Sequence, residues 1–463
     1  MTGTRDAGAR ALSAEHARTL MGWGAGAARA GLPGPVRERA ALVLADDLGA
    51  MAAAAGEPAV ARLRAVLARS SGPPEATVFA PGAGRLDRAS AASANGLAAA
   101  WCELDEGYRG VPCHAGAYVL PALLAEAEAG DATVARVLAG LAVAYEITVR
   151  CARAFPFATM SVHPHAAYAT IGAAAGVALA RGFEAGLLLD AVSGAASMAF
   201  AGPYGHAIEG ALVRNAWTSA GAWIGLRAAD WAEAGIAGLP ETFHDVFADA
   251  LGTGCEPAAL TRGLGTEWAI AGGYHKVFAC CQYAHAAIEA SLELRRRQGD
   301  GAPDAIAEIV VETHPRGLTL TTVEPATVLA AKFSMPHAVA AAAVTGTGGQ
   351  PAFGEDALRD PAIAALRRRV RLEALPGIGP PPRDRPSRVT WRMRDGTSAT
   401  ALCESARGGA DQPFDTATML DKLGDTTRGF PRMAAVLGAI VRGGGDDTPW
   451  RACVAEMTGG GKR

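Results

Sequence analysis

A chain of 463 residues, half of them apolar and only 19% charged, can bury one or two substantial cores, which excludes a largely disordered protein. Its 43 basic and 46 acidic residues leave a formal charge of -3, so no basic field exists to hold a nucleic-acid backbone, and no nucleic-acid partner is expected. Four of the 43 basic residues are lysines, at positions 276, 332, 422 and 462, a bias toward arginine that we attribute to a GC-rich genome.

Residues 1–18 alternate small, polar and charged types and lack the apolar core of a signal peptide, so a cytoplasmic protein is expected. The longest uncharged stretches, such as 163–180, are rich in Ala and Gly and carry His and Pro, which suits helices packed inside protein rather than lipid, and no membrane partner is expected. Across 12–235 apolar residues recur at three and four, with Gly, Pro or Asp at the ends, predicting an all-helical body. Pro35, for example, suits the first position of a helix over 36–55. The character changes near Gly272. Residues 305–313 (AIAEIVVET) are β-branched and alternating, and 388–393 and 397–403 flank Asp395-Gly396, a hairpin signal. Helices are predicted between them over 281–297, 328–344 and 362–371, and helical pattern resumes after Pro413. The expected architecture is mainly α: a large helical domain (1–271) interrupted by a smaller α+β lid domain (272–405), with a return to the first domain (406–463). The cleft between two such domains favours a small-molecule site.

Eight scattered cysteines without C-x-x-C spacing give neither a disulfide scaffold nor a zinc ribbon. Four clusters carry possible chemistry. Glu103, Asp105 and Glu106, followed by Tyr108, Arg109 and His114, form either a solvated helix end or a general acid or base, since close carboxylates raise one another's pKa or orient an imidazole. His163-Pro164-His165 precedes a long helix, whose start disfavours imidazolium. A neutral His163 there suits a base, although such a segment is also an ordinary turn, and its H-x-H spacing finds no third metal ligand. Arg214 leads into a helix over 218–233 and can grip either a surface carboxylate or a substrate's. The densest cluster runs from Tyr274, His275 and Lys276 through Cys280 and Cys281 to His285. Lys276 is the first lysine of the chain, whereas the paired cysteines read as small buried hydrophobes.

Taken in order, these segments resemble the MmgE/PrpD family, which includes 2-methylcitrate dehydratase, cis-aconitate decarboxylase and iminodisuccinate epimerase. The resemblance rests on Asn95-Gly96, the run from Glu103 to Arg109 with His114-Ala115-Gly116, His163-Pro164, the segment 210–215, the run 274–285, and Ala331-Lys332-Phe333-Ser334-Met335-Pro336. It implies a homodimer whose helical and lid domains enclose a site for small polycarboxylates, with no cofactor and no metal. Glu103, Gly107, His114, His163, Arg214 and Lys276 would line the cleft, with His285, Tyr274 and His275 beside them. The chain departs from the family pattern where Glu103 replaces aspartate, Ala115 proline and Arg214 lysine. Gly107 stands where decarboxylase-like members carry threonine, and Gln282 where arginine is common. The implied reaction is a lyase reaction: His163 removes a proton next to a carboxylate, Arg214 and Lys276 hold the developing charge, and His114 with Glu103 or Asp105 protonates the departing hydroxyl. Epimerisation and decarboxylation share that carbanion, and a non-catalytic carboxylate-binding protein is the alternative of a different class.

Overall fold

The computed structural model describes residues 6–299, 301–430 and 432–459. Residues 1–5, within the stretch read above for a leader, and Lys462 lie outside the described residues. The N-terminal part is a mainly helical domain whose centre is the helix Pro164–Ala180, buried from Pro164 to Leu179. Around it pack the helices Ala115–Ala129, Val134–Ala154, Ala185–Ala196 and Val213–Glu233. An uncharged run of Ala and Gly can occupy such a centre because it carries no group that needs water, and small side chains let neighbouring backbones approach closely. A Cβ placed on Gly225 would stand 2.3 Å from the Cβ of Ala173, and one on Gly221 would stand 2.5 Å from that of Ala169. The helix Arg88–Trp101 approaches in the same way, Gly96 leaving only 2.8 Å between such a Cβ and the carbonyl oxygen of Thr218.

The C-terminal domain carries a mixed four-stranded sheet, in the order Val370–Ala374, Ile306–Thr313, Ser387–Met393, Ser398–Cys403. The first pair is parallel and the others antiparallel. The predicted strand and Asp395-Gly396 hairpin are therefore both present. Helix His285–Gln298 packs on the last two strands and against helix Met335–Thr345.

Three predicted helices differ from the observed ones. That over 362–371 ends at Arg367, and Val370–Ala374 forms an edge strand, since the parallel ladder beside Ile306–Thr313 outweighs local helical pattern. That over 328–344 splits into Val328–Lys332 and Met335–Thr345, because Pro336 belongs to the first turn of the second piece and Ser334 caps it, its Oγ accepting from the His337 amide at 3.0 Å. The helix expected at Thr218 starts earlier, at Val213, so Arg214 lies in its first turn.

After the sheet, helices Thr416–Thr426 and Met433–Val441 pack on Gly34–Ala53, and Trp450–Thr458 packs on Ala115–Ala129. A two-residue ribbon, Gly107–Tyr108 paired antiparallel with Gly273–Tyr274, ties the segment after helix Arg88–Trp101 to the start of the lysine segment. No helix among the described residues is long and apolar enough to cross a membrane.

The close helix packing makes a direct prediction. Gly225→Ala overfills the contact with Ala173 and should cost about 1–3 kcal/mol. Gly26→Ala, on an exposed helical position with open space around it, should instead gain about 0.5–1 kcal/mol. Urea unfolding of both variants checks the opposite signs.

Candidate active site

The carboxylates after helix Arg88–Trp101 are not a solvated helix end: Glu103, Asp105 and Glu106 are all buried. Glu103 adopts φ +53°, a left-handed conformation that a non-glycine residue holds only when its surroundings fix it, at a cost of about 1–3 kcal/mol. Two buried cations supply that fixation. The Oε1 atom of Glu103 lies 2.6 Å from Arg214 Nη1, and its Oε2 accepts from Lys276 Nζ at 3.1 Å. Lys276 Nζ also donates to Asp105 Oδ1 at 3.2 Å, and Asp105 Oδ2 lies 2.8 Å from His114 Nδ1. The result is a row of alternating charge, Arg214, Glu103, Lys276 and Asp105, that ends at the imidazole of His114.

This alternation sets the protonation states. Burial alone would raise the pKa of Glu103, but Arg214 and Lys276 outweigh it and hold the carboxyl below its ordinary value. Burial is likewise outweighed at Asp105, mainly by Lys276 and then His114. At Lys276 burial favours the neutral amine, and Asp105 and Glu103 reverse this, so the ammonium keeps its proton far above neutrality.

The two candidate histidines are held differently. Nδ1 of His114 faces two acceptors, Asp105 Oδ2 and the Glu106 carbonyl oxygen at 2.9 Å, so Nδ1 carries the hydrogen and Nε2 is the acceptor of the neutral ring. His163 caps helix Pro164–Ala180: its Nδ1 faces the His165 amide at 3.1 Å and its Nε2 faces Arg214 Nε at 3.2 Å. Both ring nitrogens meet donors. Burial, with Arg214 and His114 adding to it, lowers the His163 pKa well below its ordinary value, which keeps this ring neutral. Its ring stacks on that of Tyr204 and is tilted against that of Trp217, each 5.6 Å away between centroids.

A narrow cavity of about 50 Å³ opens onto this row, lined by Glu103, His114, His163, Arg214, Tyr274 and Lys276. Asp105 stands behind His114 and Lys276 rather than at the cavity wall. Two of the expected substrate-binding residues are also not among the lining residues. His275 turns to Asp46, Nδ1 to Oδ2 2.7 Å, and stacks on Phe414. His285 turns its Nε2 to the Cys280 carbonyl at 3.3 Å and its ring edge to Phe278. Conversely, Tyr204, Cys281, Gln282, Tyr283, Phe333 and Arg385 line the cavity without having been singled out as site residues. Phe333 lay in a quoted motif and lies under Arg214, the guanidinium carbon 5.3 Å from its ring centroid. Arg385 follows a proline-rich segment with no periodicity to mark it.

The departure at Gly107 has a steric reason. A Cβ there would fall 2.5 Å from the Tyr274 hydroxyl and 2.6 Å from the ring carbon that bears it, so Tyr274 fills the place of a side chain at 107. For metal binding, the three-residue set that meets within 4.8 Å among the described residues is His244, Asp245 and Asp249, not the histidines of this cavity, and Asp245 is held by Arg10.

Beneath the row sits a second, protonatable pair. Glu106 accepts from the Gly116 amide at 2.8 Å and from Tyr145 Oη at 3.0 Å, while its own amide donates to Asp47 Oδ1 at 3.0 Å. Burial pushes the Glu106 carboxyl up to about 8, with Asp105 and Asp46 adding to the rise and the two hydrogen bonds opposing it. Burial, followed by Glu106, Asp46 and Asp105, raises Asp47 well above its ordinary value. A carboxyl whose folded pKa is raised stabilises the fold fully below its unfolded pKa, and that contribution is lost as pH rises through the folded value. Wild type should therefore lose stability relative to Glu106→Gln between about pH 4.5 and pH 8. Thermal unfolding at intervals across that window tests it, and a gap that stays constant with pH would remove the buried proton.

Comparison with known proteins gives two matches along the chain. The MmgE/PrpD N-terminal domain matches residues 18–255, and the MmgE/PrpD C-terminal domain matches residues 278–437. No curated protein matches the chain. Both family domains occur in the family's order, spanning the helical body and the mixed sheet, with Glu103, Asp105, His114 and Arg214 in the first matched segment and Lys276 just ahead of the second, and so the chain belongs to the MmgE/PrpD family.

Proposed function

We propose that this protein is a cofactor-independent lyase of small polycarboxylic acids, acting by removal of a proton next to a carboxylate and loss of a β-hydroxyl. The observation that carries this reading is the buried row ending in His114, whose Nε2 is the acceptor of a ring that lines the cavity. In this reading the base is His114 rather than His163. Asp105 fixes the tautomer of His114 and stabilises the imidazolium that forms when it takes the substrate proton. The same imidazolium then returns that proton to the departing hydroxyl, so a C–H and a C–O bond break, a C=C bond forms, and water leaves. Lys276 and Arg214 stand where negative charge develops on the enolate-like intermediate, and because they are already oriented, little reorganisation is needed at the moment of reaction. The one lone pair of a neutral His163 meets a donor at either nitrogen, the His165 amide or Arg214 Nε, so it is not free while these contacts stand.

Proton exchange tests this without knowledge of the product. In deuterium oxide, wild type should label at least one of citrate, 2-methylcitrate, malate and aspartate at the carbon beside a carboxylate. His114→Gln should slow labelling by roughly 10²- to 10⁴-fold, and His163→Gln should slow it much less. The reverse order returns the role of base to His163, and no labelling of any acid by wild type refutes proton abstraction.

We further infer a homodimer. Leu212, Val213 and Trp223 remain 40%, 53% and 45% exposed at the start and along helix Val213–Glu233, while Arg214 of the same helix is buried in the site. Large apolar groups grouped on one helix favour burial against a second copy. Light scattering should give about twice 47.1 kDa, and Trp223→Glu should shift the protein toward monomer.

A further inference from the structure

The cations that line the cavity are not equally compensated. Arg214 and Lys276 share Glu103 and Asp105. Arg385, only 7% exposed, is paired more weakly: its Nη1 donates to the neutral Gln282 Oε1, its guanidinium carbon lies 5.1 Å from the Tyr283 ring centroid, and its one carboxylate contact is a long ion pair with Asp384. Its Nε makes no hydrogen bond, the neighbouring Asp384 Oδ2 standing 3.6 Å away. Asp384 is itself engaged, because Arg109 Nε and Nη2 donate to its Oδ1 at 3.2 and 2.6 Å, and Nη2 also donates to the Pro382 carbonyl at 2.7 Å. A buried guanidinium that shares its nearest carboxylate with another arginine keeps part of its charge uncompensated, and burial accordingly lowers its pKa.

Position gives this charge a use. Arg385 and Tyr274 line both the narrow cavity and a wider outer one of about 730 Å³, which Arg109, His314 and Arg316 also line. Arg385 therefore stands between the outside and the reacting row, on the C-terminal-domain side. Arg109, two residues beyond Gly107 in the ribbon segment, clamps the connection that carries Arg385 onto the helical domain.

We propose that Arg385 binds a second carboxylate of the substrate and sets the preference for dicarboxylates over monocarboxylates, and that Arg109, through Asp384 and Pro382, positions it. The first carboxylate, beside the reacting carbon, sits against Arg214 and Lys276, and Arg385 takes the one that does not react. Arg385 is thus a specificity residue and Arg109 a positioning residue. The inference rests on the carboxylate reading of the site given above.

The test uses a matched pair of unreactive probes, glutarate and its monoamide glutaramate, which share a skeleton and differ by one carboxylate. Calorimetric titration of the full chain should show glutarate binding at least tenfold more tightly than glutaramate. Arg385→Gln should reduce that preference to within twofold by weakening glutarate, with glutaramate little changed. Arg109→Lys keeps the charge and loses the two-point grip on Asp384 and Pro382, and it should weaken glutarate at least threefold at unchanged melting temperature. If wild type binds neither probe, the carboxylate reading falls and this inference with it. If wild type binds both equally, or if Arg385→Gln keeps the tenfold preference, the role of Arg385 alone is refuted. Arg109→Lys with unaltered glutarate binding refutes the positioning role, and it remains readable should Arg385→Gln fail to fold.

Discussion

The structure depends on the mutual neutralisation of charges that have left water. Each ion in the row Arg214, Glu103, Lys276, Asp105 would cost several kcal/mol to bury alone, and only neighbours of opposite sign with good geometry offset that cost. This requirement reaches into the fold. Glu103 holds a left-handed backbone, helix Val213–Glu233 must come close enough for Arg214 to reach it, and the short ribbon must deliver Lys276 from the other side. The glycines at 96, 221 and 225 make the close helical approach possible.

Much of this was legible in the sequence, and the physical reasons are specific. The helical body announced itself through the three-and-four spacing of apolar residues, and the sheet through β-branched alternation and Asp395-Gly396, because both are local signals. The first of only four lysines in an arginine-rich chain marked Lys276, and the carboxylate run marked its partners. What periodicity does not encode is the direction of a side chain that leaves an irregular segment. His275 and His285 sit in the same dense cluster as Lys276, yet they turn to Asp46 and to a backbone carbonyl. Arg385 was invisible for the same reason. Its clamp joins residues 109 and 384, and no spacing rule relates them.

The departures from the family pattern also have local meaning once side chains are placed. Tyr274 occupies the volume that a side chain at position 107 would need, so a larger residue there and this tyrosine position exclude each other. Gln282, standing where arginine is common, accepts a hydrogen bond from the guanidinium of Arg385. Tyr274 and Gln282 line the same cavity.

The underside of the site is secured from far along the chain. Lys422, on helix Thr416–Thr426, donates to Asp46 and, at 2.9 Å, to the carbonyl of Leu104, inside the carboxylate turn. A ribosome adds roughly 5–20 residues per second, so the helical body made first waits on the order of tens of seconds for this side chain. During that interval Asp46 lacks one of its counter-charges and the carboxylate turn lacks one of its ties. A chain cut before helix Thr416–Thr426 would lose both contacts at once, and so carry its defect beneath the carboxylate turn, at the centre of the molecule rather than at its edge.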